Sequence, residues 1–197
     1  MMITVNALKA AYHSMAQKDI RFYLNGVCLK FKADCHFAMA FGTDGHRLGC
    51  FRVDFDTDDT VQTLNVIIPA DIVKSVLKEV KKESKIKFEV IDSKTGEYRL
   101  GDRIFKAIDG SYPDIGRVIP KKFSNEPAQL NPEYVLSAYQ AMMDYRGTKN
   151  PDKFVLTRNG LDASMVHDGK DDAFVIVMPM RTNADDYTPA GLPEQFA

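Results

Sequence analysis

The alternation of apolar and polar residues along the chain predicts the same order of elements three times. The first unit starts with a short extended run at residues 3–5, followed by a helical run at about residues 6–17. Strand-like runs follow at residues 22–32, 36–41 and 49–55. Period-two runs that end at glycine- or asparagine-containing turns are typical of strands, so this unit reads β-α-β-β-β.

The second unit repeats this order with different residues. An extended run at residues 64–68 ends at Pro69, and a helix is predicted at about residues 71–82. Three strands are then predicted at residues 86–91, 97–100 and 104–108. Three occurrences of one pattern indicate a repeated structural unit rather than a single irregular domain. An α+β domain whose topology repeats by coincidence is the alternative.

The third unit follows a proline-rich segment at residues 113–127, which we interpret as a linker. A strand is predicted at residues 128–130, and a helix runs from Asn131 as N-cap, through Pro132 at its first position, to about residue 144. The predicted strands are 154–157, 163–166 and 174–178. Residues 182–197 have no period and are predicted to form a loose tail.

Composition changes this picture little. The chain has 197 residues with 45% hydrophobic and 27% charged content, which is ordinary for a soluble globular protein. Its 26 basic residues nearly balance its 27 acidic ones, so contact with nucleic acid would depend on a local patch. No apolar run is long enough to span a membrane, and no secretory signal is visible. The odd set of three cysteines favours a reduced cytoplasmic location.

The motifs of common enzymes are missing from the sequence. It has no P-loop, no GxSxG, no HExxH and no paired-cysteine metal motif. The acidic run at residues 54–59 lacks the glycine and terminal glutamate of an EF-hand loop, and its aspartates fit a solvated hairpin better. We therefore expect neither a catalytic residue nor a metal site nor a cofactor.

Four short segments resemble the bacterial DNA polymerase III beta-subunit (sliding clamp) family. They are MAQKDIRFYLNG at residues 15–26, TDGHRL at 43–48, DGSYPDIGRVIP at 109–120 and VMPMR at 177–181. The segments occur in the family's order across most of the chain. Two departures are Gly116, where an arginine is usual, and Thr182, which replaces a terminal leucine.

The resemblance implies the clamp fold, in which each domain is a pair of β-α-β-β-β units. Residues 1–120 would form one complete clamp domain similar to the middle domain of the family. Residues 121–181 would form a half domain similar to the end of the last domain, and residues 182–197 the tail. The family's first domain and the leading half of its last domain would then have no counterpart in this chain.

The resemblance also implies a pocket for partner peptides between the middle and last domains. The residues carried over by motif are Leu24, Thr43, Gly45, His46, Arg47, Leu48, Pro113, Arg117, Val118, Ile176, Val177, Met178, Pro179, Met180 and Arg181. Flexible methionines suit an apolar floor that must adapt to different peptides. Polar residues at the rim would fix the peptide's orientation.

A basic face on the second helix is the candidate contact for duplex DNA. Six lysines and two glutamates occupy residues 74–87, and family helices of this kind contact phosphates without reading bases. The DNA-facing residues would be Lys9, Lys18, Arg21, Phe22, Tyr23, Lys74, Lys78, Lys81 and Lys82. The third helix has no lysine or arginine before Arg146, so it would add no attraction.

Three function classes remain open. The first is a sliding-clamp-like replication accessory protein that binds the clamp-binding peptides of DNA polymerase and other partners and holds them on duplex DNA, with several copies forming a homo-oligomer. The second is a peptide-binding module without a ring that sequesters or redirects clamp partners. The third is an unrelated small enzyme. The tail segment LPEQF, residues 192–196, is a candidate to occupy the pocket itself.

Overall fold

Residues 1–33, 35–56, 61–80 and 84–181 are described by a computed structural model, and they confirm the α+β fold with a repeated unit. The first unit consists of β1 (Met2–Thr4), α1 (Val5–Tyr12), β2 (Gly26–Phe31), β3 (Phe37–Thr43) and β4 (Arg47–Asp56). The predicted tail and its LPEQF segment lie outside the described residues.

The second and third units follow in the same order, with one difference. The second consists of β5 (Leu64–Pro69), α2 (Ala70–Glu79), β6 (Lys85–Asp92), β7 (Glu97–Leu100) and β8 (Arg103–Lys106). The third consists of α3 (Pro132–Arg146), β9 (Val155–Thr157), β10 (Ser164–His167) and β11 (Ala173–Val177). The prediction of a strand at residues 128–130 was wrong: this segment pairs with no strand among the described residues, and the Gln129 carbonyl accepts from the amide of Met180 at 2.8 Å.

Helix α1 ends five residues before its predicted end. The amides of His13 and Ser14 bond to carbonyls three residues back, which tightens and ends the last turn. Beyond that turn the Ala16 amide reaches the carbonyls of Leu24 and Thr43, both at 3.1 Å, so the chain is bound to the sheet there. Met15 and Ala16 are thereby buried, which explains why an apolar run continued past the helix.

The strand predicted at residues 22–32 begins later than predicted. Phe22–Leu24 form a 3₁₀ turn, and the strand starts at Gly26. Asn25 stabilises this turn, because its side chain accepts from the Asp19 amide and donates to the Asp19 carbonyl, both at 2.8 Å. An aromatic run therefore forms a turn here because a local side-chain network outweighs strand propensity.

One antiparallel sheet system joins all three units. Its main path runs β5-β2-β3-β4-β1-β6-β7-β8, and β11, β10 and β9 continue from β4 in that order. β4 is the branch point: its first half, Arg47–Phe51, pairs with β11, and its end, Phe55–Asp56, pairs with β1. The third unit is thus joined to the first two units by a backbone ladder.

The helices cover one face of these strands, with α1 in contact with both α2 and α3. Gly42 in β3 permits the close approach of α1, since a Cβ there would lie 1.9 Å from the Ala11 carbonyl oxygen. A continuous core built around Leu8, Phe51 and Phe88 extends through all three units. A smaller apolar cluster lies on the opposite face, around Leu48, Ile115 and Ile176, and it borders the site described next.

Candidate functional site

A cavity of about 270 Å³ opens where β4, β11 and the segment after β8 meet. It lies along the β4–β11 ladder, between the first two units and the third. Its lining consists of Arg21, Tyr23, Leu24, Thr43, Gly45, Arg47, Leu48, Pro113, Asp114, Ile115, Val118, Ile176 and Met178. The motifs at residues 43–48 and 109–120 and the end of β11 therefore converge on one place.

The floor of the cavity is apolar and fixed, whereas its mouth is apolar and exposed. Leu24, Leu48 and Ile176 are almost fully buried. Val118 and Met178 remain 43% and 39% exposed at the mouth. Large apolar side chains that stay exposed beside a buried floor leave room for an apolar ligand group to enter.

The turn at residues 43–47 is held by its own side chains. The Thr43 hydroxyl donates to the Arg47 carbonyl at 2.7 Å and accepts from the Gly45 amide at 3.1 Å. One carboxylate oxygen of Asp44 accepts from the amides of His46 and Arg47 at 2.9 and 3.0 Å. These bonds fix the cavity edge before any ligand arrives.

Arg21 lies at the cavity rim, although it was predicted to face DNA. Its guanidinium pairs with Asp19 at 2.7 Å and donates to the Asp44 carbonyl at 3.1 Å. The hydrogen bonds that the side chain and backbone amide of Arg21 donate to Asp19 lower the pKa of the Asp19 carboxyl to about 2. Gly45 has a φ of 91°, and a Cβ there would lie 3.0 Å from the Arg21 guanidinium, so a glycine leaves the space this side chain occupies.

Arg47 connects the cavity to helix α3. Its Nε donates to Asp44 at 2.9 Å, and its guanidinium lies over the ring of Tyr134 and donates to the Ser137 hydroxyl. The charge predicted at the rim is therefore largely neutralised by Asp44 and half-buried against the third unit. The polar face of α3 near Ser137 is consequently an interface within the protein.

Buried thiols lie in the apolar cluster beside the floor. Cys28 and Cys50 belong to that cluster with Leu48 and Ile176. Burial raises the pKa of the Cys28 thiol to about 12 and also raises that of Cys50. Both thiols therefore stay protonated at neutral pH, and they serve as small apolar groups.

Six of the predicted pocket residues do not line this cavity. Val177 is buried in the main core, and the His46 carbonyl accepts from the Met178 amide at 2.8 Å, which extends the β4–β11 ladder. Arg117 pairs with Asp114 at 3.1 Å and lines an adjoining depression of about 330 Å³ that shares Val118 and Met178. Pro179, Met180 and Arg181 follow Met178 away from the cavity lining.

Four lining residues were absent from the predicted pocket. The sequence predicts that Arg21 and Tyr23 face DNA, and it predicts no role for Asp114 and Ile115. Ile115 is buried within a 3₁₀ turn that the Asp114 side chain caps by accepting from the Gly116 amide at 3.2 Å. The apolar group of Ile115, Val118 and Ile119 within a proline-rich segment was the one sequence signal for this position.

A larger cavity, of about 480 Å³, contains none of the predicted residues. It lies between β5 and β6 and includes Gln62, Thr63, Glu89 and Ser93 in its lining. Its lining combines these polar residues with apolar ones, among them the buried Phe31 and Phe88, but none of the four sequence motifs reaches it. Size alone therefore does not identify the candidate site.

The predicted DNA-facing residues divide into three groups. Lys74 and Lys78 are exposed on α2, as are Lys18, Arg21 and Phe22 in the loop after α1, and Tyr23 is half-buried. Lys9 is half-buried and pairs with Asp144 of α3 at 2.7 Å, so its charge is engaged within the protein. Lys81 and Lys82 lie outside the described residues.

Helix α3 differs from α2 on the corresponding face. Counted from the first helical residue, α3 places Leu136 and Gln140 where α2 places Lys74 and Lys78. Leu136 is 60% exposed. This face of α3 provides no positive charge for phosphates, in line with the expectation from the sequence.

Neither a metal site nor a membrane span is found in the part of the chain that the structure describes. Within the described ranges, no three or more His, Cys, Asp and Glu side chains are grouped so as to hold a metal ion. None of the described helices has the length and apolar character needed to cross a bilayer. The cavity beside Leu48 and the lysines of α2 thus remain as the candidate sites.

Comparison with known proteins gives the same family as the sequence motifs. Residues 3–129 match the family described as DNA polymerase III beta subunit, central domain. The Beta sliding clamp of Haemophilus influenzae is 29% identical over 116 residues, which are 58% of this chain and 31% of that protein. The chain thus spans about a third of the length of the curated relatives it matches.

Solved structures of the same family share the fold. The DNA polymerase III subunit beta of Pseudomonas aeruginosa superposes with a TM-score of 0.66 at 19% identity, covering 90% of this chain and 63% of that one. A putative DNA polymerase III beta subunit from Eubacterium rectale gives a TM-score of 0.70 at 10% identity, covering 92% and 65%. Because the family match covers residues 3–129 of the 197, this protein belongs to the DNA polymerase III beta subunit family of sliding clamps.

Proposed function

We propose that this protein is a non-catalytic replication accessory protein whose cavity beside Leu48 binds the clamp-binding peptides of DNA polymerase and other partners. Such a peptide contains a glutamine followed by leucine and phenylalanine anchors. The observation that carries the proposal is the convergence of three separate sequence motifs on one apolar cavity. Family membership supports the same role.

The shape of the cavity suits side chains of a peptide better than a complete small molecule. Its volume of about 270 Å³ lies just below the range of roughly 300–1,000 Å³ typical of small-molecule pockets. The adjoining depression of about 330 Å³ shares Val118 and Met178 with it. A linear peptide could place one apolar anchor in the cavity and continue over these two side chains into the depression.

The rim gives the bound peptide a polar frame. Arg21 and Asp114 lie on the lining, and the ordered turn at residues 43–47 forms one edge. Because this turn is already hydrogen-bonded, little conformational entropy is lost when a ligand binds. Met178 and Val118 at the mouth supply apolar contact that can adjust to different anchors.

Two methionines of equal exposure provide a test with an internal control. Met178 lines the cavity and is 39% exposed, whereas Met180 lies outside it and is 40% exposed. We expect Met178→Glu to weaken binding of a clamp-binding peptide at least about 100-fold, a loss of about 2.7 kcal/mol, measured by calorimetric titration. Met180→Glu should bind nearly as well as the parent. Equal loss in both variants, or no binding by the parent protein near millimolar peptide, would falsify the proposal.

A second candidate role is weak, non-specific contact with duplex DNA through α2. The observation that supports this role is the exposure of Lys74 and Lys78 on one face of the helix. Since Lys9 is paired with Asp144 and α3 offers Leu136 and Gln140, we propose a weaker grip on DNA than on peptide. A module that binds peptides without encircling DNA is the alternative. The mass in solution and the dependence of binding on DNA topology distinguish the two.

A further inference from the structure

The two units of the complete domain are joined by a reciprocal exchange of strands. The leading strand of each unit pairs antiparallel with the first strand after the helix of the other: β1 with β6, and β5 with β2. In both pairs the residue just before the helix is opposite the first residue of the companion strand, Thr4 opposite Lys85 and Pro69 opposite Gly26. One register rule therefore describes both halves of the domain.

The third unit has a leading segment and a first strand after its helix, but neither is paired with another unit among the described residues. Among the described residues, β9 pairs with β10 alone, so its other edge has no strand beside it. The leading segment, residues 128–131, contacts the end of its own unit where Gln129 accepts from Met180. Leading strand β5 makes the same kind of bond in its own unit, where Ile67 accepts from Ile108 at 3.0 Å.

The apolar positions of this exchange are less buried in the third unit than in the complete domain. Ile3 and Ile68, two residues before their helices, are fully buried, but the equivalent Leu130 is half-buried. Ile86 and Val27, second in their strands, are also buried, whereas the equivalent Leu156 is half-buried.

The helices show the same difference. Leu8 and Val73, at the fourth position of α1 and α2, are fully buried, while Val135 at the fourth position of α3 is half-buried. Apolar residues at three equivalent positions are therefore present but incompletely covered, as expected of a half domain whose companion is not among the described residues.

We propose that a second copy of this chain completes the half domain, with residues 129–131 of each copy pairing antiparallel with β9 of the other about a two-fold axis. The register rule of the complete domain places Asn131 opposite the partner's Val155 and Leu130 opposite the partner's Leu156. This pair repeats the relation of Ile3 to Ile86 and of Ile68 to Val27.

A second copy is the occupant that the residues favour, because the open surface carries both members of the missing pair. An interface about a two-fold axis requires a patch that is complementary to itself. Residues 129–131 and 155–157 contain no charged side chain, so nothing in the ladder repels its copy. Exposed Glu133 and Lys153 flank the two segments, and antiparallel pairing brings the opposite charges to the same end.

The first test measures the mass of the full chain by sedimentation equilibrium, without peptide or DNA. Parent protein should have twice the mass of one chain, and Leu156→Asp should raise the dimer dissociation constant more than about tenfold. Ile104→Asp is the matched control, since Ile104 is 58% exposed on edge strand β8. The mass of a single chain across the micromolar range overturns the proposal, even if residues 182–197 cover the edge instead. An equal rise of the dimer dissociation constant in both variants also overturns it.

The second test reports the register even if Leu156→Asp fails to fold. In a Cys35→Ser background, the double variant Leu130→Cys/Leu156→Cys should form a disulfide-linked dimer on mild oxidation, while either single cysteine should not. Linkage of a single variant as efficient as that of the double variant contradicts the register. Neither test depends on the peptide site, so failure here leaves the proposed function standing, and failure of peptide binding leaves the dimer standing.

Discussion

The guanidinium carbon of Arg47 lies 4.8 Å from the centroid of the Tyr134 ring. Arg47 lines the cavity and Tyr134 belongs to α3, so this cation–π contact joins the cavity wall to the helix of the third unit. The same guanidinium holds Asp44, whose carboxylate orders the turn at the cavity edge. Packing of α3 and the shape of the cavity are therefore coupled.

Replacement of Tyr134 tests this coupling. A cation–π contact contributes about 0.5–2 kcal/mol depending on exposure, so we expect Tyr134→Leu to weaken peptide binding roughly threefold to tenfold. Tyr139→Leu is the control, since Tyr139 lies on the same helix and packs against Phe154. Both variants should lose thermal stability, but calorimetry should show weaker peptide binding for Tyr134→Leu alone. Equal affinities would show that the Tyr134 ring is not needed to position Arg47.

Gly45 should be needed for the position of Arg21. Gly45→Ala and Gly96→Ala should each cost about 1 kcal/mol of unfolding free energy, because both glycines have positive φ. Nothing lies within 4 Å of a Cβ at Gly96, whereas a Cβ at Gly45 meets the Arg21 guanidinium. Gly45→Ala alone should therefore raise the pKa of Asp19 from about 2 towards its ordinary value, measured by NMR titration. An unchanged Asp19 pKa would mean that Arg21 adjusts without leaving its partner.

Charge reversal on α2 tests the contact with DNA. Lys74→Glu/Lys78→Glu should abolish binding of duplex DNA at low salt, and parent binding should fall steeply as salt rises. Lys94→Glu/Lys106→Glu makes the same charge change at two other exposed lysines, outside α2, and should bind like the parent. Fluorescence anisotropy with duplexes of different sequence measures both. Full binding by the α2 variant would show that this face is only solvated surface.

The ion pairs of Arg146 should make stability depend on acid pH. Hydrogen bonds from Arg146 lower the pKa of Asp172. Burial raises the pKa of Asp168, but the hydrogen bonds and charge of Arg146, together with the amide and charge of Lys170, lower it below its ordinary value. Because the folded pKa values lie below the unfolded value of about 3.9, the stabilisation is complete above roughly pH 5 and is lost as pH falls through the folded values. Asp172→Asn should cost about 1–2 kcal/mol at pH 7 and much less at pH 3, measured by urea unfolding.

Asp102→Asn is the control for this pH dependence, since Asp102 lies exposed in the turn before β8. Its unfolding free energy should follow that of the parent at both pH values. If Asp172→Asn costs as much at pH 3 as at pH 7, the carboxylate charge is not the source of the stabilisation.

Secondary structure was predictable from sequence where the pattern was local. The strand at residues 97–100 has the predicted bounds, and Asn131 caps α3 by accepting from the Glu133 amide at 2.9 Å. The absence of a strand at residues 128–130 could not be predicted, since Leu130 lies two residues before its helix, as Ile3 and Ile68 do. Whether such a run forms a strand depends on a companion unit that the local sequence does not contain.

The candidate site was predictable in part for a related reason. Turn residues such as Thr43 and Gly45 are adjacent in sequence, so their motif indicated their place together. Arg21 was assigned to DNA because it follows the helix among aromatic residues, and only the fold brings it over Gly45. Lys9 was assigned likewise, but Asp144, 135 residues away, neutralises it.

Because β4 pairs with both β1 and β11, the unfolding free energy of all three units depends on ligand binding at the cavity. The third unit cannot separate without breaking the ladder from Arg47 to Phe51, so the described part of the chain should unfold in a single transition. A ligand held at that ladder binds the native state only, and it raises the melting temperature of all three units together. Thermal shift of distant strands such as β7 therefore reports occupancy at Leu48.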